Sequence, residues 1–379
     1  MEKNLLFAAL AVVAMASCTK NELKVPSTGS DAVISFQPVV ANATKADYIT
    51  NSSISTNPTS FSFAVFAWYP DGGEMLASTT SGTRYMDNVT VNYNGSFDDT
   101  DDKGTGTWAP STTYYWPKNG KLSFDAYAPA SAHAETEAAG KGKFTSDIKK
   151  GLQITKYTVA ALANQYDLLY STRAVNKNTS NGGKTGDASY DGNGTYDGVD
   201  IAFKHALSAI EVKARTAVAY GDDVIQLTGV TIQNAYNKGT FSQNMNSPIA
   251  EGSPEWTGHS NVVNYVLFSG TQSLTTSEVT SPTIKNAIVL PQSFTHSPNE
   301  VSIKVDYQIK HGTFYLPQTQ TFKLSTTSGS VAGGPSTSLS AWEMGKKYTY
   351  TLVFTLEDIH FAPSVTDWTE VTVKDIDVK

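Results

Sequence analysis

Three kinds of residue in this sequence have types and spacings that could do chemistry. The first is histidine. A hydrolase needs a nucleophile beside an activating base. The six histidines are His133, His205, His259, His296, His311 and His360. None stands in a serine elbow or a zincin spacing. His205 alternates with apolar residues in "IAFKHAL", which reads as an imidazole buried in a core and bonded to a neighbouring carbonyl or hydroxyl. The second is the acidic loop. "DDTDDKGTGT" (98–107) and "DGNGTYDGVD" (191–200) have calcium-loop composition. The first puts Lys103 where an oxygen ligand belongs, and the second puts Tyr196 where the sharp-turn glycine belongs. Solvated loops are the expectation, with no metal. The third is the aromatic set Trp68, Tyr69, Trp108, Tyr114, Tyr115 and Trp116. It would suit a sugar-stacking platform, although such rings more often fill β cores. No glycine-rich phosphate cradle is followed by a helix, so no nucleotide or other cofactor is expected. The residues point away from an enzyme.

A single cysteine remains, Cys18, and one thiol makes no internal disulfide. It closes "MEKNLLFAALAVVAMASC": a positive Lys3, an apolar run from Leu5 to Met15, then small Ala16 and Ser17. That run is too short to span a bilayer and has signal-peptide length. Residues 1–17 read as a lipoprotein signal. Cleavage before Cys18 would free its amine and leave its thiol to carry a lipid anchor.

The elements that must position these groups are strands. The chain has 379 residues, 40% of them hydrophobic and 17% charged, and a formal net charge of -7. That size allows two domains or one large one. The acidic balance argues against nucleic acid as a partner. "AVISFQPVV" alternates as a strand, with Ile34 and Phe36 on one face and Val33 and Ser35 on the other. "FSFAVFAWY" (61–69) is apolar on both faces and reads as a central strand. "TYYWP" (113–117), "KLSFDAYAP" (121–129) and "YDLLYST" (166–172) follow as strands, and "ASAHAETEAAG" is the best short helix candidate. From Asn176 to Asp200 the chain is rich in Gly and Asn, a long loop or linker.

The second half restarts at "DIAFKHALSAIEVKART". Ile201, Phe203, His205 and Leu207 share one parity, Ile210 and Val212 the other. A strict strand cannot change parity, so a β-bulge is expected near Ser208 and Ala209. "KYTYTLVFTL" is the cleanest strand, with Tyr348, Tyr350, Leu352, Phe354 and Leu356 on one face. Many short strands between turn signals imply β-sandwiches, two of them.

Several stretches together resemble one family. They are "MASC" (15–18), "FAVFAWYP" (63–70), "YYWP" with "LSFDAYAP" (114–129), "YDLLYS" (166–171), "FKHALSAIEVKA" (203–214), "WEMGKKYTYTL" (342–352) and "VTDW" (365–368). The order is similar to that of the fimbrillin-like lipoproteins of Gram-negative gut and oral anaerobes, the pilins of type V fimbriae. The most specific motifs are "FKHALS" and the spacing of Trp342, Gly345, Tyr348 and Tyr350.

That resemblance implies an all-β chain of two tandem transthyretin-like (Greek-key) β-sandwich domains, at 46–190 and 191–379. A lipidated pro-segment, 18–45, would precede them. It implies an outer-membrane lipoprotein precursor, held in the membrane through lipid on Cys18. A processing protease would cut between Lys45 and Ala46, at a position where the family frequently has Arg. The chain would then join a cell-surface fimbrium. The released piece would carry a removable strand with Val33, Ile34, Phe36 and Val39. Other pilin subunits would fill the groove with a donor strand; the candidate here is the run with Val371, Val373, Ile376 and Val378, and the alternative for that run is an ordinary last strand of the second domain. Unpaired backbone groups and open apolar pockets make such a groove receptive, and a head-to-tail contact that does not close gives a filament. A host or bacterial surface ligand is a further possible partner. The alternative is a non-polymerising outer-membrane surface lipoprotein that binds glycan or a host ligand.

Overall fold

The computed structural model describes residues 33–40, 54, 57–95, 97–98, 103–104, 106–180, 182, 198–296, 299–326, 328–331 and 336–367. Every element among them is a strand or a three-residue 3-10 turn. Within the described residues, no helix is long and apolar enough to cross a membrane.

The first sheet has eight strands in the order β10 (Leu169–Ser171), β12 (Val199–His205), β1 (Phe36–Val40), β6 (Thr107–Pro110), β3 (Gly82–Asn94), β2 (Ser62–Pro70), β7 (Leu122–Ala128) and β11 (Ala174–Lys177). β10 also pairs with β7, at Leu169↔Ala128 and Tyr170↔Tyr127. Seven of the eight strands therefore form a ring, with β11 beside β10 on β7, and Phe36, Phe63, Val65, Trp108, Phe124 and Phe203 belong to the core the ring encloses. A closed ring leaves none of those seven strands as an edge.

The second sheet runs β16 (Ala287–Val289), β13 (Ser208–Thr216), β23 (Lys346–Phe354), β24 (Ile359–Asp367), β20 (Ser328–Val331) and β21 (Ser336–Ser338). The third runs β19 (Phe314–Lys323), β18 (Ser302–His311), β14 (Asp223–Ser242), β9 (Gly151–Thr158) and β8 (Lys141–Asp147), with β15 (Glu255–Ser273) also on β14. Two small pairs complete the described strands, β17 (Gln292–Ser293) with β22 (Ala341–Trp342) and β4 (Phe97–Asp98) with β5 (Lys103–Gly104). Ile210, Val212, Tyr348 and Tyr350 of the second sheet share one core with Ile225, Val230, Ile303 and Val305 of the third. This all-β sandwich architecture agrees with the alternating patterns in the sequence.

β12 and β13 correct the bulge expected near Ser208. They are separate strands in different sheets, split at Ala206 and Leu207. Ile201 and Phe203 enter the first core, and Ile210 and Val212 enter another. The parity changes because the chain leaves one sheet for the next. That crossing lies later in the chain than position 190, since β12 pairs in the first sheet. "TYYWP" holds only a bridge at Tyr115, and "ASAHAETEAAG" begins with a 3-10 turn, Ala130–Ala132, not an α-helix.

A third core lies between. Phe66 and Tyr127 of the first sheet pack there with Phe144, Ile154 and Tyr157 of β8 and β9, and with Leu207, Phe241 and Trp256. β14 has 20 residues and serves both ends, pairing with β18 near Asp223 and with β9 near Ser242.

The two most specific motifs meet at this crossing. Trp342 Nε1 donates to Tyr350 OH (2.9 Å), and the backbone N–H of Glu343 donates to Tyr348 OH (2.7 Å). The N–H of Gly345, at φ +68°, donates to Leu207 O (2.9 Å), and Ser208 Oγ donates to Glu343 O (2.7 Å). A left-handed residue here is cheap only for glycine. The motifs thus tie the corner of one sandwich to the chain that enters it.

Burial raises the hydroxyls of Tyr348 and Tyr350 well above their ordinary value of 10.0. Burial raises those of Tyr127 and Tyr265 as well. Unfolded tyrosine ionises near pH 10 while these stay neutral in the fold. Their contribution is therefore complete below that pH and falls above it. Denaturant melts at pH 9 and about 11 should show stability dropping by up to about 1.4 kcal/mol per pH unit for each such tyrosine. Equal midpoints would contradict it.

Candidate functional site: the seat of the first strand

β1 is one stave of the closed sheet. It lies parallel to β12, in register from Phe36↔Val199 to Val40↔Phe203. On its other side it meets β6 antiparallel at Phe36↔Trp108. Ahead of it the N–H of Ile34 donates to Tyr114 O (2.9 Å), the N–H of Val199 donates to Ser35 O (2.8 Å), and Val33 bridges Tyr115.

The side chains alternate. Ile34, Phe36 and Val40 are all 0% exposed. Phe36 stands edge-on to Phe63 (5.9 Å between centroids) and Phe124 (5.5 Å). Phe63 in turn meets Trp108 and Phe203. Such offset and edge contacts add to the area each ring buries. Of the four residues assigned to a removable strand, Ile34 and Phe36 face the core. Val33 is 45% exposed and Val39 is half-buried on the outer face. Val40 takes the core position that Val39 was expected to hold, because the strand keeps the parity of Ile34 through Pro38.

The sequence reading missed Gly198. It stands at φ +156°, and a Cβ there would lie 2.5 Å from Phe36 N and 2.6 Å from its Cα and C. Those are backbone atoms and have no rotamer to escape into. β1 can sit beside β12 only because residue 198 has no side chain. The signal was the glycine before "VDIAF", hidden among the many glycines of 176–200.

Cys18, Lys45, Ala46, Val371, Val373, Ile376 and Val378 lie outside the described residues. The acidic loops are only partly described, and the described residues contain no group of three or more His, Cys, Asp or Glu able to hold a metal.

The aromatic platform is not assembled. Trp108 is 0% exposed and Trp116 8%. Trp68 lies under the Arg84 guanidinium, 3.8 Å from the ring, and donates to Ser146 Oγ. The histidines are engaged separately. His205 Nδ1 is 2.8 Å from Asp167 Oδ2, so its partner is a carboxylate and not the carbonyl or hydroxyl expected. His259 and His296 bond to the carbonyls of Pro291 and Asn234.

On the face of β7 opposite Phe124 lies a buried polar clamp. Arg173 holds Asp125 of β7 with two bonds, Nε to Oδ1 (2.9 Å) and Nη2 to Oδ2 (2.7 Å). It also donates to the carbonyls of Asp147, Ile148 and Pro248. Ser146 Oγ donates to the same carboxylate (2.6 Å). Both charged side chains are almost wholly buried. The clamp joins the first sheet to the β8–β9 turn and to the segment after β14.

The fimbrillin-like family matches this chain over residues 44–368. The chain belongs to the fimbrillin-like family. This fimbrillin-like chain is similar to several solved structures. A candidate cell adhesion protein of Bacteroides uniformis is 15% identical, with TM-score 0.49 over 91% of this chain and 100% of that one. A fimbrial protein of Bacteroides vulgatus is 18% identical, with TM-score 0.47 over 89% and 100%. The tip fimbrial protein Mfa3 of Porphyromonas gingivalis, truncated at its C-terminus, is 12% identical, with TM-score 0.40 over 89% and 100%. No curated protein sequence matches.

Proposed function

We propose that this fimbrillin-like chain is a structural or adhesive fimbrial subunit of the cell surface. It is exported as a lipoprotein anchored through Cys18, cut after Lys45, and assembled by exchange of β1 for a strand of another subunit. Membership in the family carries the fimbrial reading. The seat of β1 supports the exchange. A strand inserted between β12 and β6 fills an apolar slot with Ile34, Phe36 and Val40, and its departure would leave two unpaired edges that another strand satisfies. The family match begins at Thr44, so β1 precedes it and the body of the chain follows. The run with Val371, Val373, Ile376 and Val378 is the donor in this reading.

The test is limited digestion of the purified precursor with a trypsin-like protease, beside a Lys45→Gln variant. The wild type should lose its N-terminal piece and form a ladder of polymers resistant to mild detergent. The variant should stay monomeric. A wild type that remains monomeric after complete cutting at Lys45 would overturn the exchange mechanism.

A further inference from the structure

A cavity of about 500 Å³ opens where three connections meet: the turn after β2, the segment before β7 and the residue after β11. Tyr69, Glu74, Asn119, Lys121 and Asn178 line it. That volume lies in the range of small-molecule sites. Of the aromatic set read in the sequence, only Tyr69 is part of this lining.

The walls are held from outside the cavity. Met75 is 1% exposed, and the side chain of Asn176 bonds to both sides of its backbone. Met75 N–H donates to Asn176 Oδ1 (2.7 Å), and Asn176 Nδ2 donates to Met75 O (2.8 Å). Asn176 N–H donates in turn to Ser123 Oγ of β7 (3.0 Å). Gly73 N–H donates to Pro70 O (2.9 Å), and Gly73 O accepts from Lys121 N–H (2.8 Å). Glutamate 74 is thus fixed between two anchored residues, and Lys121 Nζ donates to Glu74 Oε1 (2.7 Å). The two turns touch glycine on glycine. Gly73 and Gly120 both have φ +80°, and a Cβ at Gly73 would lie 3.3 Å from Gly120 Cα. A Cβ at Gly120 would lie 2.6 Å from the Tyr69 hydroxyl and 2.8 Å from its Cε2, so only glycine leaves the ring its place. The Tyr69 hydroxyl donates to Asn119 O (3.2 Å). Groups fixed in this way need little ordering when a ligand arrives.

The chemistry of the lining narrows the ligand. It holds no Leu, Ile, Val, Met or Phe, so a lipid tail or an apolar peptide finds no wall to pack on. Its two charges, Glu74 and Lys121, are paired with each other, whereas a phosphate site needs clustered cations. Asp71 of the same turn accepts from Ser81 Oγ (2.6 Å), and Lys118 and Lys177 stand on the flanking segments outside the lining. Two amides, a carboxylate and an ammonium therefore surround one phenol ring. Together they donate and accept over a short span. A ring compound with many hydroxyls and no charge matches that set. Its hydroxyls also donate and accept, and its C–H face packs on an aromatic ring.

We infer that this cavity binds a neutral saccharide, with Tyr69 as the stacking ring and Glu74, Asn119, Lys121 and Asn178 as hydrogen-bonding groups. This deepens the adhesive reading above and rests on it.

The test is saturation-transfer NMR on the purified, uncut precursor with lactose, maltose, mannobiose and diacetylchitobiose, followed by titration. At least one should bind with a Kd of about 1 mM or tighter. Asn119 is exposed and lies on no strand, so Asn119→Trp fills the cavity without entering a core. It should weaken binding about tenfold or more while the melting temperature stays the same. Tyr69→Leu should weaken it as much, and Tyr69→Phe, which keeps the ring, should not. Tyr69 also packs against the first core, so Asn119→Trp decides the matter if Tyr69→Leu fails to fold. Binding by none of the four sugars would overturn the inference, and so would binding that Asn119→Trp leaves unchanged. Glucose 6-phosphate binding where neutral sugars do not would also overturn it, by marking an anion site at Lys121. Lys45 is intact throughout, so the result is separate from the digestion experiment. A cut chain that polymerises but binds no sugar loses this site alone, and a chain that binds sugar without polymerising loses strand exchange alone.

Discussion

Replacing Phe36 by alanine should destabilise the first core by about 3–5 kcal/mol, the range for losing a fully buried aromatic ring. Phe36 is 0% exposed and meets Phe63 and Phe124 edge-on. The effect should be local to the closed sheet. Hydrogen exchange of β1 and β12 amides should accelerate by about 100-fold or more, with β18 and β23 in the other sandwich much less changed. Gly198→Ala should give the same pattern without touching the core, because the added Cβ strikes the backbone of Phe36 and moves β1 off β12. If Gly198→Ala left β1 exchange unaltered, the seat described here would be wrong.

Arg173→Met should cost about 3–5 kcal/mol, because it strands the carboxylate of Asp125 in the interior. Removing both charges should cost less than removing one. The double variant Arg173→Met/Asp125→Leu should therefore recover part of the loss, since a desolvated pair is a weak net stabiliser. Urea melts of the two single variants and the double would decide it. Additive losses would mean that the five bonds of Arg173 act independently and not as one clamp.

How much of this was legible depended on which face of a strand was wet. β23 was read correctly as far as Phe354, because its tyrosines, Leu352 and Phe354 alternate with threonine and lysine around a one-sided core, but the strand stops there and leaves Leu356 40% exposed. β2 was found because both of its faces are covered, one by the first core and one by the third. β8 and β9 were passed over because lysine, threonine, glutamine and aspartate fill their outer positions while Gly142 and Gly151 take inner ones, so the apolar signal is thin. The change of parity at Ser208 was visible, and its cause was not. A bulge and a change of sheet leave the same trace in one dimension. The candidate site was half legible. Ile34 and Phe36 alternate in plain sight, but that β1 runs parallel to β12 depends on residues far along the chain. Gly198 cannot be told from its neighbouring glycines until Phe36 is placed beside it.

The pairing of β1 with β12 joins positions 36 and 199, and parallel strands so far apart are slow to meet. While the chain is continuous, β1 is held near its slot by the polypeptide itself, so its return is an intramolecular event. A cut behind β1 would not empty the slot. It would turn a unimolecular partner into a dissociable one, held by Ile34, Phe36 and Val40 and no longer guaranteed to return. The interval between cutting and exchange would then be set by the off-rate of a short peptide. A nicked subunit would carry its own timer, and substitutions at those three positions would change its setting without altering the protease site.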